Sequence, residues 1–173
     1  LLPDKARVMA DMLTTPRPMS VEARYADARA RLGADGIDVI DLLPALIDAR
    51  QIAPVFLRHD THWTPHGART VAQSLAPMIQ AATDTRAVFG TVAGDASPYR
   101  GDLLRYLDLG PLQDWFGFAD EAVTEPITNM AASDDGLGLF GAAEVPGVLV
   151  GTSYSAIMRW NFLGALQDTA QTD

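Results

Sequence analysis

Thr64-Pro65 divides this chain more firmly than any other dipeptide in it. A threonine hydroxyl can accept a hydrogen bond from the first turn of a helix. Proline at the first helical position has no N–H to leave unpaired, and its φ is already set for a helix. Behind the pair, Ala68, Val71, Ala72, Leu75, Met78 and Ile79 recur at helical spacing, which predicts a helix with one buried face. Just before it, Pro54-Val55-Phe56-Leu57-Arg58 reads as a short strand. A strand that turns directly into an amphipathic helix is the building unit of an α/β fold.

The same alternation runs through the rest of the sequence. Ser20 reads as the N-cap of a helix through Leu32, with Val21, Tyr25, Ala28 and Leu32 on one stripe and Gly33 and Gly36 ending it. Ile37–Ile40 reads as a strand and Leu42–Arg50 as a short helix. Residues 83–145 are rich in Gly, Asp, Ser and Pro and read as a loop-rich excursion that could hold short strands, with an apolar cluster at Leu103-Leu104-Tyr106-Leu107 and a turn at Asp134-Asp135-Gly136. Gly147–Gly151 reads as a buried strand, followed by a last helical segment. These elements predict a mostly parallel sheet with helices on both faces and chemistry at the carboxyl ends of its strands. Leu1-Leu2 before Pro3 reads as the tail of a strand, and the chain ends soon after Ser153. The expectation is therefore a single domain, 1–173, lacking parts at both ends.

Composition narrows the function. The 173 residues carry 13 Lys and Arg against 22 Asp and Glu, a formal net charge of −9. That balance argues against a nucleic-acid binder or a protein held on an anionic membrane, since both need a basic surface. There is no cysteine, so thiol nucleophiles, disulfides and Cys-ligated metals are excluded. No apolar run approaches the roughly 18–20 residues of a membrane-spanning helix.

Two segments at expected strand ends hold reactive side chains: His59-Asp60-Thr61-His62-Trp63 and Gly151-Thr152-Ser153-Tyr154-Ser155. Residues i and i+2 of an extended segment point the same way, so Asp60 could orient the imidazole of His62 and leave its other nitrogen as a base. The plainer alternative makes Asp60 a cap and packs His62 beside Trp63. Ser153, between a strand and a helix, could be presented as a nucleophile beside helix N–H groups, although Thr152, Ser153 or Ser155 could equally be a cap. The position two after Ser153 is Ser155 rather than Gly, so this is not an α/β-hydrolase elbow. His59, His62 and His66 with Asp60 also make a dense set of metal ligands. Against that, the helix starts after His62, and no Glu stands between His62 and His66. Trp63, Trp115 and Trp160 could floor a sugar site or sit in the core.

Leu57–Ala68 together with Val148–Ser155 resembles the SGNH-hydrolase-like domain of the alginate O-acetyltransferase family, and Pro3-Asp4-Lys5-Ala6-Arg7 and Gly101-Asp102-Leu103-Leu104 are similar to it too. The resemblance spreads over nearly the whole chain. It implies a flavodoxin-like α/β fold and a triad of Asp60, His62 and Ser153, in an order permuted relative to ordinary SGNH esterases, where Ser comes first. It implies a periplasmic enzyme that needs no metal or cofactor. Such an enzyme would take acetyl groups from a membrane-bound acyltransferase partner and place them, through an ester on Ser153, on an exported polysaccharide. An acetyl-esterase of the same fold, or a catalytically silent polysaccharide-binding or scaffold domain, are the alternatives. For oxyanion or substrate contacts the candidates are Thr152, Tyr154, Gly101, Asn161 and Trp63. The acidic net charge points to a neutral glycan acceptor, with Arg58, Arg69, Arg100, Arg105 and Arg159 as the residues that would otherwise build a groove for a polyanion.

Overall fold

A computed structural model describes residues 1–84, 86–107, 110–112, 115–116, 118–131 and 147–172. Its elements run α1 (Lys5–Val8), α2 (Met19–Ala34), α3 (Leu43–Ala49), α4 (Pro65–Ala82), β1 (Phe89–Tyr99), β2 (Glu121–Met130), α5 (Ser153–Ala156) and α6 (Phe162–Ala170), with short 3-10 turns between them.

The helix announced by Thr64-Pro65 forms as expected, although Met78 of its apolar stripe is exposed near the helix end. Thr64 Oγ1 accepts from Gly67 N at 3.1 Å, closing the first turn, and Ala68, Val71, Ala72 and Ala76 are buried along one face of α4. Gly67 lies so close to the preceding segment that a Cβ there would sit 2.1 Å from Val55 O. This close approach ties α4 to residues 54–58. α4 also packs against α6, which buries Phe162, Gly164, Ala165, Leu166 and Ala170. The core gathers Val8, Leu46, Val55, Phe56, Leu57, Trp63, Val71, Val123, Trp160 and Phe162, and Trp160 is completely enclosed.

α2 starts earlier than expected, with Pro18 rather than Ser20 at its cap, and only Tyr25 is buried along its length. Polar ties hold it instead. Glu22 pairs with Arg7 and with Arg17, each at 2.9 Å, and the Tyr25 hydroxyl donates to Asp41 at 3.1 Å.

The sheet differs from the expected one. Among the described residues it is two-stranded and antiparallel, β1 with β2, rather than mostly parallel. Residues 37–40 and 147–151 are irregular, and Pro54–Arg58 makes only an isolated bridge, Phe56 to Trp63. These segments have strand-like composition, but strands exist only as pairs, and no neighbouring strand pairs with them among the described residues. Val148 and Val150 are accordingly 83% and 88% exposed rather than buried.

The region read as loop-rich supplies the ribbon itself. β1 and β2 pair from Phe89↔Met130 to Tyr99↔Glu121, with an irregularity between Ala93 and Ala96. Leu103–Leu107 largely forms a 3-10 turn, Asp102–Tyr106, that buries Leu104. The turn expected at Asp134-Asp135-Gly136 lies outside the described residues. The end of the ribbon matters most for the site, because the paired residues Tyr99 and Glu121 both reach the segment from Arg58 to Asp60.

Candidate active site

Residues 57–62 leave the core and return to it in a tight excursion, closed by Leu57 N to His62 O at 3.2 Å and Thr64 N to Val55 O at 3.0 Å. Within it the Asp60 carboxylate turns inward and has no exposed surface. Asp60 Oδ1 accepts from His62 N at 2.7 Å and lies 2.6 Å from His62 Nδ1. The pair therefore meets through an Asx turn rather than through an extended strand. Asp60 Oδ2 accepts from the Tyr99 hydroxyl at 2.8 Å and from Asp102 N at 2.7 Å. Burial alone would raise the Asp60 carboxyl, but these bonds from His62, Asp102 and Tyr99 outweigh it and hold the group below its ordinary value. Tyr99 shows the reciprocal effect, pushed up to about 12 by burial and by its bond to Asp60.

A carboxylate accepts and does not donate, so the Asp60 bond assigns the proton of neutral His62 to Nδ1 and leaves Nε2 as an acceptor. Nε2 lies 2.8 Å from Ser153 Oγ, across 91 residues of sequence. Ser153 is exposed at the start of α5, so the arrangement grades from an enclosed carboxylate through a mostly enclosed imidazole to an open hydroxyl. The imidazole is held on its faces by aromatic rings: Trp160 stacks on it at 6.0 Å and 26°, and Tyr154 lies 4.9 Å away. Trp160 in turn meets the Tyr99 ring edge-on at 5.3 Å.

Other residues singled out in the sequence have different positions. Thr152 precedes the turn that carries Ser153, its carbonyl accepting from Ser155 N at 3.0 Å and from Ser155 Oγ at 3.1 Å, so that the Ser155 hydroxyl is engaged locally. The Tyr154 hydroxyl donates to Thr61 O at 2.5 Å, and burial followed by the charges of Asp102, Asp60 and Asp4 raises its pKa. Gly101 is a close-approach glycine: a Cβ would lie 2.0 Å from His59 O, and this proximity brings Asp102 N onto Asp60. Asn161, in the left-handed region at φ 51°, donates to Thr128 Oγ1 at 2.8 Å. Trp63 is 3% exposed and packs on Tyr154 and Phe162. Trp63 and Trp160 are thus core residues, and only Trp115 of the three tryptophans is open, at 80%.

The three histidines do not converge. His59 meets Phe118 edge-on, and His66 Nε2 bonds to Ala49 O at 3.2 Å. Donor atoms of Asp60, His62 and Asp102 do lie within 4.8 Å of one another, yet both oxygens of Asp60 and both oxygens of Asp102 already accept protein hydrogens. Sequence reasoning assigned no role to Lys5, Tyr99, Asp102 or Glu121. Lys5 and Asp102 lay within segments that carried the family resemblance, whereas Tyr99 and Glu121 had no motif to mark them.

A family model described as the SGNH hydrolase-like domain of the acetyltransferase AlgX matches residues 1–173. The chain belongs to this family. Within the AlgX-type family it is 39% identical over 180 residues to a probable alginate O-acetylase AlgJ of Pseudomonas putida, a match covering 100% of this chain and 46% of the relative. It is 40% identical over 185 residues to the corresponding protein of Pseudomonas aeruginosa, covering 100% of this chain and 47% of that one. The chain thus spans about half the length of the curated relatives it matches. Among solved structures, the O-acetyltransferase domain of Pseudomonas putida AlgJ superposes with a TM-score of 0.85 at 36% identity, covering 100% of this chain and 59% of that one. Pseudomonas aeruginosa AlgX superposes with a TM-score of 0.69 at 26% identity, covering 86% and 35%.

Proposed function

We propose that this AlgX-family domain is an O-acetyltransferase that carries the acetyl group on Ser153 and delivers it to a hydroxyl of an exported polysaccharide. The observation that carries the reading is the continuous chain Asp60 Oδ1–His62 Nδ1 at 2.6 Å and His62 Nε2–Ser153 Oγ at 2.8 Å. In the first half-reaction Nε2 takes the Ser153 proton as Oγ attacks the acetyl carbonyl. The tetrahedral intermediate then collapses, and the leaving group departs with the proton from Nε2. In the second half-reaction a sugar hydroxyl gives its proton to Nε2 and attacks the acetyl carbon, and Ser153 Oγ leaves and recovers the proton. Asp60 stabilises the imidazolium at both stages, and no step requires a metal or cofactor.

The relatives named as alginate O-acetylases point to a polyuronate acceptor, against the neutral glycan suggested by net charge. Local charge supports them. Arg69, Arg100 and Arg159 pair with Asp168, Asp120 and Glu125, whereas Arg58 and Arg105 are exposed and form no ion pair among the described residues. In this reading the domain works in the periplasm and draws its acetyl group from a membrane-bound acyltransferase partner.

Hydrolysis is the second reading, because Ser153 is open enough for water to take the place of the sugar. A silent binding domain is disfavoured by a serine, imidazole and carboxylate already bonded in series. Incubation with a chromogenic acetyl ester, with and without uronate oligomers, separates the readings. Acetylated oligomer identifies a transferase, free acetate alone an esterase, and no turnover a silent domain.

A further inference from the structure

The backbone of residues 57–62 is held by charged side chains from three distant parts of the chain. Lys5 Nζ donates to three carbonyls of the excursion: Leu57 O at 2.5 Å, Arg58 O at 3.0 Å and Asp60 O at 2.9 Å. An ammonium has three N–H donors and no acceptor, so this one side chain is fully used. The amides on the other side point at carboxylates. Arg58 N and His59 N donate to Glu121 Oε2 and Oε1, both at 2.8 Å, and Thr61 N donates to Asp102 Oδ1 at 2.8 Å. Asp102 adds the Thr61 hydroxyl on Oδ2 at 2.6 Å, and its own N–H reaches Asp60 Oδ2 at 2.7 Å.

A segment whose backbone groups are satisfied by a neighbouring strand would be flat, with successive side chains on opposite faces. This one must instead curl, so that Asp60 turns inward and His62 faces Ser153. Its carbonyls and amides then have no ladder to join and need other partners. Lys5, Glu121 and Asp102 supply them with ionised groups, which form the shorter and stronger class of hydrogen bond. The three come from α1, the start of β2 and the turn after β1, and between them they address carbonyls or amides from Leu57 to Thr61. Burial lowers the pKa of Lys5, while Glu121, Asp60 and Asp102 oppose that shift.

We propose that Lys5, Asp102 and Glu121 act as positioning residues, a charged clamp whose task is to hold the Asp60–His62 turn in register with Ser153. None of them bonds to Ser153. Lys5 and Glu121 work through the shape of residues 57–62, and Asp102 adds to that a carboxylate oxygen 3.8 Å from His62 Nδ1. A displacement of about 1 Å at a reacting pair can cost on the order of 100-fold in rate, so the clamp is expected to act on turnover more than on ester binding. The clamp rests on Ser153 being the nucleophile, and the test is built to separate the two ideas.

Lys5→Met, Glu121→Gln and Asp102→Asn are compared with the parent chain and with Ser153→Ala. Three readings are taken: kcat and KM on a chromogenic acetyl ester, the folded fraction from thermal denaturation, and the rate at which a serine-directed fluorophosphonate labels Ser153. The near-isosteric Glu121→Gln, whose carboxylate meets Arg58 and His59 rather than His62, keeps the test decisive where Lys5→Met fails to fold. Expected per folded molecule is a fall in kcat of at least ~10-fold with KM within about twofold, and a comparable slowing of Ser153 labelling. Folded Asp102→Asn and Glu121→Gln proteins with parental kcat and labelling rate would overturn the clamp. Labelling and turnover that survive Ser153→Ala would instead overturn the nucleophile, a result no clamp variant can produce.

Discussion

The Tyr99 hydroxyl donates to Asp60 Oδ2 at 2.8 Å, so the last residue of β1 completes the bonding of a carboxylate that has no exposed surface. Removing that donor leaves a buried anionic oxygen one partner short. Tyr99→Phe should therefore destabilise the fold by about 1–3 kcal/mol, since hydrogen bonds to charged groups lie at the upper end of the usual range. It should also slow turnover on a chromogenic ester, because the carboxylate gains freedom to rotate away from His62 Nδ1. Chemical denaturation together with steady-state kinetics checks both effects.

The same pair gives stability a defined pH dependence. The Asp60 carboxyl is lowered from its ordinary 3.8, so its contribution is complete above that value and is lost as pH falls through the lower folded value. Tyr99 is raised from 10.0 to about 12, so the unfolded chain ionises it first and stability is lost as pH rises between those values. Thermal melts across the pH range should show a plateau through neutrality with both flanks falling. In Tyr99→Phe the alkaline flank should flatten.

Trp160 lies beneath the His62 imidazole and is completely enclosed. Trp160→Ala would leave a large cavity under the imidazole and should cost about 3–5 kcal/mol. Trp160→Phe keeps an aromatic face and should retain more of both stability and activity. Melting temperature and kcat measured on the two variants establish the order.

Gly101→Ala tests close approach. A methyl group would meet the His59 carbonyl at 2.0 Å, a backbone contact that no rotamer change relieves. The variant should shift Asp102 away from Asp60 and lose activity along with stability, as read by ester turnover per folded molecule.

Legibility in the sequence followed the range of the forces involved. α4 was readable because its cap, its proline and its apolar stripe are local. Asp60, His62 and Ser153 were readable because their side-chain chemistry is distinctive and each follows an apolar run. The β1–β2 ribbon was not. Gly90, Gly94, Asp95, Pro98 and Pro126 lie within strands whose faces are largely exposed, so neither composition nor alternation marks them. The extended runs 37–40 and 147–151 carried the opposite signal, apolar residues suited to a sheet but with no pairing partner among the described residues. Lys5, Glu121 and Asp102 act on backbone groups 41 to 63 residues away, and such contacts impose no spacing on the sequence. Asn161 stood among the oxyanion or substrate candidates, with no motif to place it, and its amide donates to Thr128 Oγ1 from a left-handed residue.

Acceptor choice gives a separate test. If Arg58 and Arg105 meet a polyuronate, the double variant Arg58→Ala/Arg105→Ala should raise KM for uronate oligomers and weaken its salt dependence. Turnover of a small neutral ester should be unaffected.

Acid-quenched peptide mapping after brief incubation with the chromogenic acetyl ester tests the mechanism most directly. The acetyl group should be found on the peptide containing Ser153, be absent from Ser153→Ala, and move to the sugar when uronate oligomers are added before the quench. An acetyl group on any other residue, or full turnover with no acetyl-enzyme and an active Ser153→Ala, would contradict acyl transfer through the Asp60–His62–Ser153 chain.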